Sequence, residues 1–192
     1  MKKYLLTATV MIGALLFAAC GNTNKEADKK EDLTIVTTFY PMYDFTKEIV
    51  GDEGNVKLLI PAGTEPHDFE PSAKERAEIS DADVFVYNSS DMEFFVDSLK
   101  DSVDSKQTLM IEAAKGIDRL ESQEADEHEE SEEGHGHLHE YDPHVWLDPV
   151  LAIKEVRTIA EELGEKYPDK KETFTKNADA YIKKLEALDQ KY

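Results

Sequence analysis

The sequence predicts an α/β fold in which a parallel four-stranded sheet with flanking helices is followed by a long helix. From Leu33 onward, short runs of β-branched and aromatic residues alternate with amphipathic segments of about ten residues. Strands that alternate with helices in this way are typical of parallel sheets with helical crossovers. After Pro149 the apolar pattern is helical throughout, so the remaining helices are expected to follow the sheet.

The individual elements follow from local patterns. Strands are predicted where apolar and β-branched residues cluster, at Leu33–Thr38, Val56–Ile60, Val84–Tyr87 and Leu109–Ile111. The intervening helices are predicted at Met42–Val50, Ala73–Asp81 and Met92–Val103. Parallel sheets bind ligands at the carboxyl ends of their strands, which makes the loops 61–71 and 113–149 candidates for a site.

Two helices are predicted after the sheet. The first, over residues 150–167, has an apolar face that ends at Gly164 and comprises Val150, Ile153, Val156, Ala160 and Leu163. The second begins at Pro168 and has a regular stripe made of Phe174, Ala178, Tyr181, Leu185, Leu188 and Tyr192. Because no helix stop follows, we expect residues 168–192 to be the start of a longer helix and the second half of the protein to be absent from this chain.

The amino terminus has the features of a bacterial export signal. Lys2 and Lys3 precede an apolar run that ends in small residues just before Cys20, the only cysteine. The surrounding FAACG resembles a lipobox, in which cleavage leaves an acylated cysteine. We therefore expect residues 1–19 to be a signal peptide, Cys20 to carry the lipid anchor and the charged residues 20–32 to form a flexible tether on the outer face of the cell membrane.

The charge of the chain restricts its partners. Its formal net charge is −20, from 42 acidic and 22 basic residues. A nucleic-acid backbone would repel such a chain, whereas cations are natural small ligands. We therefore expect no nucleic-acid partner.

The most unusual segment is 121–142, which reads ESQEADEHEESEEGHGHLHEYD. It contains ten carboxylates and four of the six histidines, namely His128, His135, His137 and His139. Imidazole suits zinc, copper and nickel, and carboxylates add charge attraction, so this loop is expected to recruit metal ions loosely. The alternative is a solvated acidic loop with incidental histidines.

The two remaining histidines each lie between prolines. His67 lies in PAGTEPHDFEP, and His144 lies in DPHVWLDP next to the only tryptophan. Prolines restrict the backbone and reduce the cost of ordering a ligand. Each histidine follows a predicted strand or precedes a predicted helix, so we expect both at one edge of the sheet. The alternative is that each is an ordinary surface histidine.

Four features together resemble the zinc-binding lipoproteins of ATP-binding-cassette importers, within the solute-binding proteins specific for zinc or manganese. They are GTEPHDFEPS, DPHVWLDP, the His/Glu-rich loop between them and the lipobox. The resemblance covers residues 33–192. It implies two lobes joined by one long rigid helix, with residues 33–149 as the first lobe, 168–192 as the start of that helix and the metal in the cleft.

By this resemblance, His67 and His144 are metal ligands, while a further histidine and a carboxylate come from the second lobe. The implied function is high-affinity capture of extracellular zinc by a monomeric receptor that delivers it to the membrane permease of the importer. Two imidazoles also favour zinc over manganese, which prefers more oxygen ligands. Asp142 or Asp148 could orient a ligand imidazole through its second nitrogen, although Asp148-Pro149 is equally a helix-starting turn.

Two other functions remain open. A surface adhesin or passive zinc buffer would act through the His-rich loop alone and bind several ions weakly. A zinc-dependent hydrolase would add Glu65 or Glu70 as a general base. The sequence has no His-Glu-x-x-His helix, Gly-x-Ser-x-Gly elbow or Gly-rich phosphate loop, so we expect a receptor and not an enzyme.

Overall fold

A computed structural model describes residues 32–118 and 141–191 of the chain. Several predictions lie outside these residues: the signal peptide, Cys20, nearly all of the tether, and the loop histidines His128, His135, His137 and His139. Within the two described ranges, no helix combines the length and the apolar character needed to cross a bilayer.

The predicted parallel sheet is present. Its strands are β1 (Leu33–Thr37), β2 (Gly54–Leu58), β3 (Val84–Tyr87) and β4 (Leu109–Glu112), in the spatial order β2-β1-β3-β4. Ile35 of β1 pairs with Val56 on one side and with Val84 on the other. All four residues of β3 are buried, as expected for a central strand that is covered on both faces.

Three helices connect the strands and two follow the sheet. They are α1 (Tyr40–Val50), α2 (Ala73–Asp81), α3 (Phe95–Lys100), α4 (Pro149–Lys166) and α5 (Lys171–Asp189). The bounds of α2 and β3 match the prediction residue for residue. α2 begins with a reciprocal capping box between Ser72 and Glu75, which is a local signal that the sequence displays directly.

The predicted helix over 92–103 is too long. The amide groups of Met92 and Glu93 both donate to the carbonyl of Ser89, which forms a turn before α3 begins at Phe95. α1 differs in the other direction and begins at Tyr40, because Pro41 occupies its first turn, a favoured position for proline.

The apolar faces predicted for the two carboxyl-terminal helices are confirmed in part, since most of the predicted residues are buried or pack against the core. Val150 of α4 is 48% exposed, whereas Glu155 is fully buried. α4 also continues past Gly164, where a Cβ would lie 3.0 Å from the Lys171 side chain, so glycine there permits close packing of α5 rather than ending the helix.

The buried stripe of α5 is also narrower than predicted. It consists of Phe174, Ala178 and Ile182, while Leu188 is 40% exposed. Tyr181 lies at the edge of this stripe, and its hydroxyl donates to Asp44 of α1 at 2.7 Å. α5 ends at Asp189, so the described helix is shorter than the predicted 168–192.

Candidate metal centre

The strand order defines a crevice at the carboxyl ends of β1 and β3. These strands are neighbours, and the chain leaves β1 for one edge of the sheet and β3 for the other. Doubly wound sheets bind ligands at such a switch point. The loop that carries His67 follows the edge strand β2, and the segment that carries His144 follows the opposite edge strand β4.

The structure brings these two histidines into direct proximity. The Nε2 atoms of His67 and His144 are 3.4 Å apart, and the two rings meet at 73°. In a tetrahedral site with zinc–nitrogen bonds of 2.0–2.1 Å, two ligand nitrogens are about 3.3–3.4 Å apart. The two nitrogens therefore have the separation that a shared tetrahedral zinc ion requires.

The His67 loop is shaped by a turn and by aromatic packing. Gly63 has φ +86° in the turn that Thr64 closes by donating its amide to the carbonyl of Pro61 at 3.1 Å, a conformation that favours glycine. The ring of Phe69 packs edge-on against Phe95 at the start of α3. The turn therefore shapes the start of the loop, and the ring contact holds its other end against α3.

The His144 side chain is oriented by Asp142. One oxygen of Asp142 accepts hydrogen bonds from the His144 amide at 2.9 Å and from its Nδ1 at 2.7 Å. A proton held on Nδ1 by this carboxylate leaves the lone pair on Nε2, which faces His67. Trp146 supports the same ring, with centroids 5.2 Å apart, and packs edge-on against Phe39 at 4.7 Å.

Asp148 has a different role from Asp142. Its carboxylate accepts from the amides of Val150 and Leu151 and caps α4. The structure therefore gives Asp148 the helix-starting role, one of the two roles that the sequence left open.

We expect Asp142→Asn to weaken zinc binding by about 10-fold to 100-fold, because the amide cannot hold the Nδ1 proton as an anion does. Competition of the protein with a chromophoric zinc chelator measures this change. The matched control is Asp148→Asn, since asparagine still caps a helix. Equal losses of affinity in both variants would contradict the orienting role of Asp142.

The surroundings of His144 favour a cation. An open pocket of about 740 Å³ adjoins this residue and has three carboxylates, Asp118, Asp142 and Asp148, in its lining. Across residues 32–118 and 141–191, no group of three or more His, Cys, Asp or Glu side chains is placed to hold a metal ion. The described lobe therefore offers two imidazoles on one side of a site that is open elsewhere.

Sequence reasoning missed a buried polar cluster at the same sheet edge. Its members Thr38, Asn88, Ser89, Glu93 and Glu155 are each at most 1% exposed. One signal was available, since Glu155 shares a helical face with the buried Ala152 and Ile159. Glu93 lies in a turn, where no periodic pattern marks it.

Comparison with known proteins shows consistent similarity to zinc-uptake components. The family model described as "Zinc-uptake complex component A periplasmic" matches residues 35–192. The zinc-binding lipoprotein AdcA of Streptococcus pneumoniae is 53% identical over 100% of this chain, which covers 38% of that protein. The high-affinity zinc uptake system protein ZnuA of Bacillus subtilis is 53% identical over 93% of this chain and 57% of its own length.

Among solved structures, the Zn(II)-bound ZnuA-like domain of S. pneumoniae AdcA is 51% identical, with a TM-score of 0.72. That match covers 83% of this chain and 54% of the other. The chain therefore spans less than two thirds of the length of these relatives.

Proposed function

Because the chain belongs to the family of zinc-uptake complex component A, we propose that it is the zinc-capturing part of a receptor for an ATP-binding-cassette importer. His67 and His144 bind the ion from one side, and the receptor delivers it to the membrane permease. The observation that carries this proposal is the 3.4 Å separation of the two Nε2 atoms. Zinc is the cargo of this protein.

The chemistry of the pair favours zinc among divalent cations. Two neutral imidazoles suit zinc, and a carboxylate behind one of them is a common supporting arrangement. Manganese prefers oxygen ligands and gains less from this pair. Membership of the family also indicates a solute-binding receptor rather than an enzyme.

The complete site needs ligands beyond the described lobe. The sequence resemblance implies a histidine and a carboxylate from a second lobe, with the ion in the cleft between the lobes. Four protein ligands around zinc exclude water and make a tight, closed site. Release to the permease then requires the two lobes to separate.

The proposal also includes recruitment and anchoring. The histidines of segment 121–142 raise the local zinc concentration, and a lipid on Cys20 keeps the receptor at the outer face of the membrane. One acyl chain alone binds membranes marginally, so stable anchoring requires more than one chain on this cysteine. A monomer is sufficient for this function.

Calorimetric titration with zinc and with manganese tests the proposal on residues 21–192. The expected result is one zinc ion bound more tightly than the rest and a much weaker response to manganese. X-ray absorption of the one-zinc sample should then show imidazole ligands at the tight site. Several weak and equivalent zinc ions would instead favour the adhesin or buffer that acts through the His-rich loop.

Acidic pH is expected to weaken zinc binding. An imidazole must be unprotonated to bind a metal ion, so affinity should fall steeply below about pH 6. Titrations at pH 7.5 and pH 5 in matched ionic strength measure the change. Equal affinity at the two values would contradict binding by histidine.

A further inference from the structure

The buried carboxyl cluster consists of Thr38, Asn88, Ser89, Glu93 and Glu155. It lies where β1 and β3 end, which is the switch point of the sheet. Burial of a polar side chain costs free energy of folding unless the side chain is hydrogen bonded, and burial of two carboxyl groups side by side costs more. This cluster is therefore expected to have a specific role.

Glu93 has the environment of an ionised carboxylate. Its Oε1 accepts from the Thr38 hydroxyl at 2.5 Å and from the Asn88 amide at 3.0 Å, and its Oε2 accepts from the Ser89 amide at 3.1 Å. The two amide groups can act only as donors. A hydroxyl–oxygen distance of 2.5 Å is typical of a hydrogen bond to an anion.

Glu155 has the environment of a neutral acid. Its Oε1 accepts from the Asn88 side-chain amide at 3.2 Å. Across the described ranges, Oε2 of Glu155 has no hydrogen-bond partner, and neither do Asn88 Oδ1, which can only accept, and Ser89 Oγ, which can accept or donate. A proton on Oε2 of Glu155 would add a hydrogen-bond donor to a cluster that contains acceptors without a partner.

The charges around the pair oppose double ionisation. Burial raises the pKa of Glu155 to about 8, and the negative charge of Glu93 adds to this effect. Burial and, to a smaller extent, the charge of Glu112 of β4 raise the pKa of Glu93 to about 7, although three hydrogen-bond donors oppose the shift. Tyr87 of β3 stays neutral, since burial raises its pKa and its hydroxyl donates to Glu112.

We propose that Glu93 and Glu155 hold one proton between them, with Glu155 neutral, and that this pair positions the two segments that carry His67 and His144. The positioning role rests on the proposed zinc site, whereas the shared proton does not. The pair joins the turn after β3 to α4 through Asn88, which bonds to both carboxyl groups.

Short chains of contacts lead from this pair to both imidazoles. Glu93 directly precedes Phe94, whose ring centroid is 6.1 Å from that of His67. On the other side, Thr38 directly precedes Phe39, which packs on Trp146 and through it on His144. Ionisation of Glu155 would place a second negative charge in the cluster and loosen both supports.

The first test measures stability against pH in wild type, Glu155→Gln and Glu161→Gln. Glutamine mimics a neutral acid, and Glu161 is an exposed residue of the same helix. Because the pKa of about 8 in the folded protein exceeds the ordinary glutamate value of about 4.5, the stabilisation is complete below about pH 4.5 and is lost as pH rises through 8. Between these values, the unfolding constant of wild type should rise about ten-fold per pH unit relative to Glu155→Gln.

Infrared spectroscopy provides an independent readout of the proton. A protonated carboxyl band should be present at pH 7 in wild type and in Glu161→Gln, and clearly weaker in Glu155→Gln, where Glu93 alone of the pair can contribute to it. If Glu155→Gln keeps the full band and the pH slope of wild type, the shared proton is ruled out.

The second test measures zinc affinity at pH 7 and pH 9. Between pH 7 and pH 9, wild type should lose more zinc affinity than Glu155→Gln does. At pH 7, Glu155→Ala should bind zinc at least about ten-fold more weakly than wild type. Equal pH ratios in wild type and Glu155→Gln would overturn the positioning role. Zinc binding by wild type that does not depend on His67 and His144 would instead refute the proposed function, while the stability and infrared tests would still decide the shared proton.

Discussion

Replacing both His67 and His144 with alanine should remove the tight zinc site of this chain. The two Nε2 atoms are 3.4 Å apart, and they belong to the only two histidines in the described ranges. Loss of an orienting carboxylate typically costs 10-fold to 100-fold in affinity, so loss of both ligands should cost more than about 100-fold. Calorimetry against a competing chelator is suited to a change of this size.

The fold should tolerate this double substitution. The His144 side chain is 43% exposed and that of His67 is partly buried, so little apolar area is lost from the core. Circular dichroism and the urea midpoint of the variant should therefore match those of wild type. This comparison separates loss of ligands from loss of structure.

A loop variant is the matched control for the ligand pair. His135, His137 and His139 replaced by alanine should leave the tight site in place and reduce the number of weakly bound zinc ions. Should the loop variant lose tight binding while the His67/His144 variant keeps it, the site has been assigned to the wrong histidines. In that case the buffer function would be favoured.

Phe174→Ala should produce the largest loss of stability among the substitutions considered. Phe174 is fully buried on α5 and belongs to the core that this helix shares with the rest of the lobe. Truncation of a buried phenylalanine costs about 3–5 kcal/mol, because apolar contacts are lost and a cavity remains. Urea unfolding followed by circular dichroism measures the difference in free energy of unfolding.

Leu188→Ala on the same helix is the control. Leu188 is 40% exposed near the end of α5, and surface substitutions are usually within about 0.5 kcal/mol of wild type. The sequence pattern predicts that Phe174 and Leu188 are both buried, whereas in the structure only Phe174 is buried. Comparable losses in the two variants would show that α5 packs differently from the structure described.

The sequence predicted best those elements that local signals determine. The strand Val84–Tyr87 is a continuous apolar run, and α2 has a capping box, and both were predicted with correct bounds. α3 was predicted too long because its start depends on a turn closed by Ser89. Which face of α5 is buried depends on the side that packs against α1 and α4. Apolar residues lie on two neighbouring faces of this helix, so the sequence alone cannot show which of them is buried.

For the candidate site, the sequence predicted the residues but not their geometry. Proline-flanked histidines indicated His67 and His144, and their expected position at one edge of the sheet agrees with the structure. The choice between Asp142 and Asp148 required backbone conformation, since each carboxylate bonds to nearby amide groups. Glu93 and Glu155 were missed because buried acids are identified by their neighbours in space.

The strand order of this lobe has a consequence for selectivity. In many doubly wound folds the crevice between the reversed central strands admits a nucleotide or another organic molecule. Here Phe39 and Trp146 pack across that part of the lobe, and Glu93 is buried below it. The three carboxylates in the pocket beside His144 would also repel a phosphate group. His67 and His144, which come after the two opposite edge strands, instead lie with their Nε2 atoms 3.4 Å apart, a spacing that suits a bare ion rather than an organic cofactor.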